Sequence, residues 1–188
     1  MIKNLKWRSI FFQEDQKKLD PLEAFKVYYQ ETYPFVRQIL FWNLKDKSLV
    51  EDLVQETYLK AWKSFSQFKQ ESSFKTWIYK IAINTVKDFY RKQQWQSEVN
   101  ENYQEQSASD SYAVLDLVEK SVLNIDLNLR EFFILYYKFN YTFAEIAQLS
   151  EQNINTVKTK VYKAKEQFID FYQKNGAEDG RSKNSKSS

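Results

Sequence analysis

The chain has 188 residues, of which 43% are hydrophobic and 18% aromatic, with two Gly, two Pro and a net charge of +3. So few Gly and Pro argue against turn-rich sandwiches and barrels, and the length suits one domain or two small ones. The absence of Cys and His removes disulfides, thiolate nucleophiles, imidazole bases and the usual soft-metal sites, so neither metal nor cofactor is expected.

Residues 1–19 read as an N-terminal extension. The opening "MIKNLKWRSIFFQEDQKKLD" has no apolar run long enough for a signal peptide, and no later stretch suits a bilayer span. A soluble, cytoplasmic protein without membrane insertion is the expectation. A first helical stretch, "DPLEAFKVYYQETYPFVRQILFW", opens with Asp20 as N-cap, Pro21 at the first helical position and Glu23 three residues after the cap. Pro34 is expected to break or bend it. In "SLVEDLVQETYLKAWKSF", Ser48 and Glu51 form a candidate capping box, and Leu49, Leu53, Val54, Ala61, Trp62 and Phe65 share one apolar stripe.

After the link "SQFKQESS", a third helix is expected from about Phe74 to Lys92. At about 100° per residue, Lys80, Asn84, Lys87 and Arg91 fall on one stripe with Trp77 beside it. Ile78, Ile81, Ala82, Thr85, Val86 and Phe89 take the opposite side. The stripe by itself suits first a solvated amphipathic surface, and it also suits cations on phosphates around an amide on a base edge. Phe65 and Phe74 read as core anchors. Phe68, between Gln67 and Lys69, reads as an exposed ring able to stack on an unpaired base.

Residues 93–112 read as a flexible acidic linker. From Gln93 to Glu119 there are six acidic residues and no Lys or Arg, between two basic helices. Helices are then expected in "YAVLDLVEKSVLNI", in "NLREFFILYYKF" and in "TFAEIAQL", the last opened by a Thr142 and Glu145 capping box. A final helix is expected from near Asn153 to about Tyr172, with residues 174–188 as a disordered tail. The expected fold is therefore all-α, with two small helical domains, 20–92 and 113–173, on either side of the linker.

"TFAEIAQLSEQNINTVKTKVYKAKEQF" has the order of a helix-turn-helix, in which a capped short helix and a turn present a longer basic helix to a major groove. Ile154, Val157, Val161, Ala164 and Phe168 form the inward stripe. Asn155, Thr156, Lys158, Thr159, Lys160, Tyr162 and Lys163 face outward, where small polar groups reach bases and lysines suit phosphates. A helical hairpin with a merely solvated basic face has the same pattern. The tetrapeptide Asn-Thr-Val-Lys occurs at both 84–87 and 155–158, but its flanks do not match, so duplication is not implied.

"VEDLVQETYLKAWKSFSQFKQESSFKTWIYKIAINTVKDFYRK" resembles conserved region two of bacterial sigma factors. "LREFFILYYKFNYTFAEIAQLSEQNINTVKTKVYKAKEQF" resembles region four. This layout without a region three is similar to the extracytoplasmic-function group of the sigma-70 family, over roughly Leu22 to Phe171. The resemblance implies a non-catalytic subunit that brings core RNA polymerase to promoter DNA and helps to open it.

By the same resemblance, the helix holding Glu51, Asp52, Gln55 and Glu56 docks on the clamp helices of the polymerase's largest subunit, with the flap region as a further contact. Trp77, Lys80, Asn84 and Lys87, with Arg91 on the same stripe, engage the minus-ten element. Phe68 and Asn84 match positions that handle a flipped base. Thr156, Lys158, Thr159, Lys160 and Lys163, flanked by Asn155 and Tyr162, read the minus-thirty-five element. An anti-sigma factor is a further implied partner.

Three positions depart from the family pattern: Asp126 replaces a usual Pro, Glu151 a Gly common in the turn, and Asn155 a Gly. A rival reading is a stand-alone helix-turn-helix regulator, which leaves the acidic helix without a role. A metal nuclease on Glu51, Asp52 and Glu56 fits poorly, because adjacent helical residues diverge by about 100°.

Overall fold

A computed structural model describes residues 20–69, 72–99 and 117–182, so the N-terminal extension, residues 100–112 of the expected linker and the end of the tail lie outside the described residues. The first half contains α1 (Pro21–Asn43), α2 (Val50–Ser64) and α3 (Phe74–Val99). Helix α1 runs through Pro34 without the break that was one of the two expected outcomes. Phe35, Val36, Ile39 and Leu40 beyond the proline are buried, and their burial holds the helix course despite one lost backbone bond. Asp20 takes the N-cap position with its backbone carbonyl, which accepts from Ala24, while its carboxylate makes no cap.

The expected Ser48 and Glu51 capping box does not form. Asp46 accepts instead from both the Ser48 amide (2.9 Å) and its hydroxyl (2.6 Å), which winds a tight turn over Lys47–Leu49 ahead of α2. Glu51 is thereby left for other partners. At the next junction Ser73 accepts from the Thr76 amide and starts α3. That helix continues past Lys92 to Val99, into residues expected to be linker.

The second half contains α4 (Leu117–Asn124), α5 (Leu127–Phe133), α6 (Phe143–Ser150) and α7 (Ile154–Ser182). After α5 the chain widens into a turn over Ile134–Lys138, closed by Phe139 N–H donating to Ile134 C=O. The Thr142 and Glu145 capping box is present in both directions, at 3.2 and 2.8 Å. Asp126 N-caps α5 in position, yet its amide and carboxylate both bond the Gln167 side chain on α7, at 2.9 and 2.7 Å. A proline there would lack the amide proton. Helix α7 runs to Ser182, well beyond Tyr172, so residues 174–182 are helical rather than tail-like.

Each half buries its own apolar stripe, Leu53, Ala61, Ile78 and Val86 in the first, and Phe132, Leu135, Ile146, Val157 and Val161 in the second. The halves also touch directly. Arg130 of α5 is 5% exposed and reaches across to the Asn43 carbonyl (2.9 Å) at the end of α1. It also donates to the carbonyls of Leu123 (2.6 Å) and Ile125 (3.0 and 3.2 Å). A guanidinium among the unpaired carbonyls of a helix C-terminus satisfies both the donors and the helix dipole. Tyr90 of α3 donates to the same Asn43 carbonyl (3.0 Å), so one atom ties three helices. Phe35 meets Phe139 edge-on at 5.5 Å, and the Lys138 ammonium lies over the Trp42 ring.

The turn between α6 and α7 is left-handed at Glu151, with φ 52 and ψ 42. A side chain with a Cβ is disfavoured there by roughly 1–2 kcal/mol. Glu151→Gly is accordingly expected to be more stable than Glu151→Ala by about 1 kcal/mol. Both variants lose the carboxylate, so their difference in thermal unfolding isolates the backbone. An alanine variant as stable as the glycine variant refutes the strain.

Candidate nucleic-acid interface

Helix α2 turns Asp52 and Gln55 to solvent, with Glu56 half-buried beside them. Glu56 pairs with Lys60 one turn on, at 2.8 Å. Glu51 is engaged within the fold, accepting from Arg37 (2.6 Å) and from the Tyr33 hydroxyl (2.8 Å). The Arg37 guanidinium, with the Tyr33 hydroxyl, holds the Glu51 carboxyl below its ordinary range. The free acidic surface is thus narrower than the sequence suggests and centres on Asp52.

On α3 the expected stripe forms, and Asn84 is exposed in its middle. The cations around it are all paired. Lys80 is bonded to Glu151, Lys87 to Glu131 (3.3 Å) and Arg91 to Asp88 (2.7 Å). Two of those three carboxylates come from the second half. Glu131 is the more firmly held, with a side chain 7% exposed that also accepts from the buried Tyr79 hydroxyl at 2.7 Å. Burial, then the neighbouring Glu131 carboxylate, pushes the Tyr79 phenol far above its ordinary range.

Phe68 differs from the exposed ring expected. It is half-buried and packs against Trp77 at 5.0 Å, Phe74 at 5.6 Å and Tyr28 at 6.3 Å. Both it and Trp77 are nevertheless only partly covered. Phe74 is buried, and Phe65 packs half-buried on Phe25 at 5.1 Å, as core anchors should.

Asn153 caps α7, accepting from the Asn155 amide at 2.8 Å. Asn155, Thr156, Lys158, Thr159, Tyr162 and Lys163 are exposed along one side. The Thr159 hydroxyl donates back to the Asn155 carbonyl (2.9 Å). Lys160 departs from the expected face. Its ammonium bonds Gln152 (2.8 Å) and lies 4.4 Å from the centre of the buried Phe132 ring, so it braces the turn instead of facing outward. Ile154, expected inward, is 39% exposed, because the first residue of a capped helix lies past the edge of the core. Val157, Val161 and Ala164 are fully buried as expected.

Sequence reasoning missed Arg130 and Glu131. The available signal was two adjacent opposite charges inside the otherwise apolar run "LREFFIL", where charges persist only with partners. Among the described residues no group of His, Cys, Asp or Glu could hold a metal, and no helix is long and apolar enough to cross a membrane.

Residues 28–96 match the model of the family described as sigma-70 region 2. An extracytoplasmic-function RNA polymerase sigma factor of Bacillus subtilis, SigX, is 40% identical over 72 residues, 38% of this chain and 37% of that protein. SigV of the same organism, an RNA polymerase sigma factor, is 29% identical over 130 residues, 68% of this chain and 78% of that one. The fold is similar to that of the sigma factor RpoE in its co-crystal with the anti-sigma factor NepR from Bartonella quintana. That likeness has a TM-score of 0.62 and 21% identity, and covers 80% of this chain and 98% of that one.

Proposed function

The chain belongs to the extracytoplasmic-function group of the sigma-70 family, and from that premise we propose that it directs core RNA polymerase to specific promoters and helps to open them. In this reading the protein is a dissociable, non-catalytic cytoplasmic subunit. One observation carries it: the region-2 match, residues 28–96, contains both the acidic surface around Asp52 and the exposed Asn84 on its cationic stripe. One helix faces a basic protein partner, and the next faces DNA.

The chemistry of each surface assigns its task. Asp52, Gln55 and Glu56, with Glu51 as their internally paired neighbour, suit a basic coiled coil such as the clamp helices. Asn84 offers both donors and acceptors to one unpaired base, with Lys80, Lys87 and Arg91 on the strand's phosphates and the partly exposed rings of Phe68 and Trp77 for stacking. Asn155, Thr156, Lys158, Thr159, Tyr162 and Lys163 on the capped helix α7 suit intact duplex at the minus-thirty-five element. Lys160 supports that surface through Gln152 instead of reaching a phosphate. The apolar hollow of about 350 Å³ lined by Trp42 of the first half and by Val122, Phe133 and Phe168 of the second offers a place for the flap region or an anti-sigma factor.

The test is run-off transcription on genomic DNA. Discrete transcripts are expected only when the protein and purified core polymerase are combined, and the protein alone should bind duplex DNA weakly, given its net charge of +3. Tight, sequence-specific duplex binding by the protein alone, without core-dependent transcripts, points instead to a stand-alone regulator.

A further inference from the structure

The hollow of about 350 Å³ between the end of α1 and helices α4, α5 and α7 is lined by aliphatic and aromatic side chains and by two lysines, Lys138 and Lys165. No carboxylate lines it, and neither lysine makes an ion pair among the described residues. We infer that the hollow binds a small single-chain amphiphile with an anionic head, such as a medium-chain fatty acid. Its alkyl chain lies inside and its carboxylate meets the two ammonium groups. This site goes beyond promoter recognition and is a separate use of the hollow from the docking of a protein segment.

Size, dryness and charge together select this class of occupant. Small-molecule sites have volumes of roughly 300–1,000 Å³, so this hollow takes one short chain and is too small for a two-chain lipid. An apolar space without polar groups to hold water stays dry and accepts apolar guests. Phe133 stacks on Phe168 at 4.9 Å and lies against Tyr137 at 4.6 Å, so the rings of the wall are already paired among themselves. A flexible alkyl chain fills the irregular space beside them, where a rigid aromatic guest would need a ring to stack on. Val118, Tyr137 and Ile169 are exposed, so the hollow opens to solvent and a chain can enter.

The head group is selected by the lysines. The Trp42 ring, itself part of the wall, holds the Lys138 ammonium 4.9 Å from its centre. Lys165 stands on the same face of α7 as Phe168 and Ile169, which follow it by three and four residues. Lysine stems cover apolar surface while their charges stay in water, which sets both cations at the mouth. Two cations beside a wall without acids attract an anionic head and repel a cationic one.

The test uses the full chain and isothermal titration calorimetry with decanoate, kept below its micelle concentration. Decyltrimethylammonium, with the same chain and the opposite charge, is titrated in parallel. The expected result is one saturable site for decanoate, with the cationic amphiphile at least about tenfold weaker. Lys138→Gln with Lys165→Gln should weaken decanoate about tenfold and remove the preference over the cation, as loss of two partly screened charge pairs requires. Both lysines are exposed, so this variant keeps the fold, which a thermal melt checks. Val118→Trp sets a large ring at the mouth and should block decanoate, and the lysine variant decides alone if Val118→Trp does not fold. Absence of decanoate binding, more than one decanoate per chain, equal binding of the two amphiphiles, or undiminished binding by the lysine variant overturns the inference. Binding to phosphatidylglycerol vesicles without binding of free decanoate overturns it as well, in favour of a membrane surface.

Discussion

Asp52→Lys with Glu56→Lys is expected to abolish capture of core RNA polymerase while leaving the fold intact. Both positions lie on the outer side of α2, and reversing them sets cations against the basic partner that the acidic surface implies. Like charges juxtaposed at an interface cost several kcal/mol, which corresponds to a loss of at least about hundredfold in affinity. The cost to stability is small by comparison. Asp52 stands in the first turn of a helix that begins at Val50, where an acid favours the dipole. Glu56 loses its pair with Lys60, and the two changes together should remove about 1 kcal/mol. Pull-down of core polymerase at moderate salt, beside a thermal melt, checks both statements. Undiminished pull-down by a folded variant removes the docking assignment.

Asn84→Ala and Lys158→Ala with Lys163→Ala should damage different steps. Asn84 is exposed between paired cations, and its loss removes a contact to one base. A contact of that kind is worth roughly 1–3 kcal/mol, so promoter opening should fall and preference at one minus-ten base should relax. Lys158 and Lys163 are exposed on the α7 side that suits duplex phosphates. Removing both should weaken initial promoter binding across sequences and reduce its salt dependence by about two charge units. Lys160→Ala should change the salt slope less than either, because its ammonium is held by Gln152 and the Phe132 ring. Binding measured over a salt series separates these outcomes.

Periodicity made most of the helices legible, since the buried residues of α2, α3 and α7 follow the spacing that their apolar positions set. Local chemistry was legible where one partner was available, as at Thr142 and Glu145. It misled where two competed, because Asp46 captured Ser48 before Glu51 could serve as its box partner. Pro34 shows the weight of burial over local preference, for the helix continues through it with Phe35 and Val36 packed in the core. A helical wheel gives the direction in which a side chain leaves the backbone, not where a long one ends. Lys160 left α7 on the predicted side and then folded back, and Lys80 and Lys87 found carboxylates far along the chain. Contacts between the halves were beyond reach of sequence reading, since no local pattern pairs Arg130 with the end of α1.

The most direct measurement of the division of labour is initiation from a template already opened over the minus-ten region. Wild-type protein, Asn84→Ala and Lys158→Ala with Lys163→Ala are each combined with core polymerase and compared on closed and pre-opened promoters. The pre-opened template should largely restore Asn84→Ala, whose defect is in melting, and should leave the lysine pair impaired, since upstream duplex binding is still required. Restoration of the lysine pair without restoration of Asn84→Ala contradicts the assignment of α3 to the unpaired strand and α7 to the duplex.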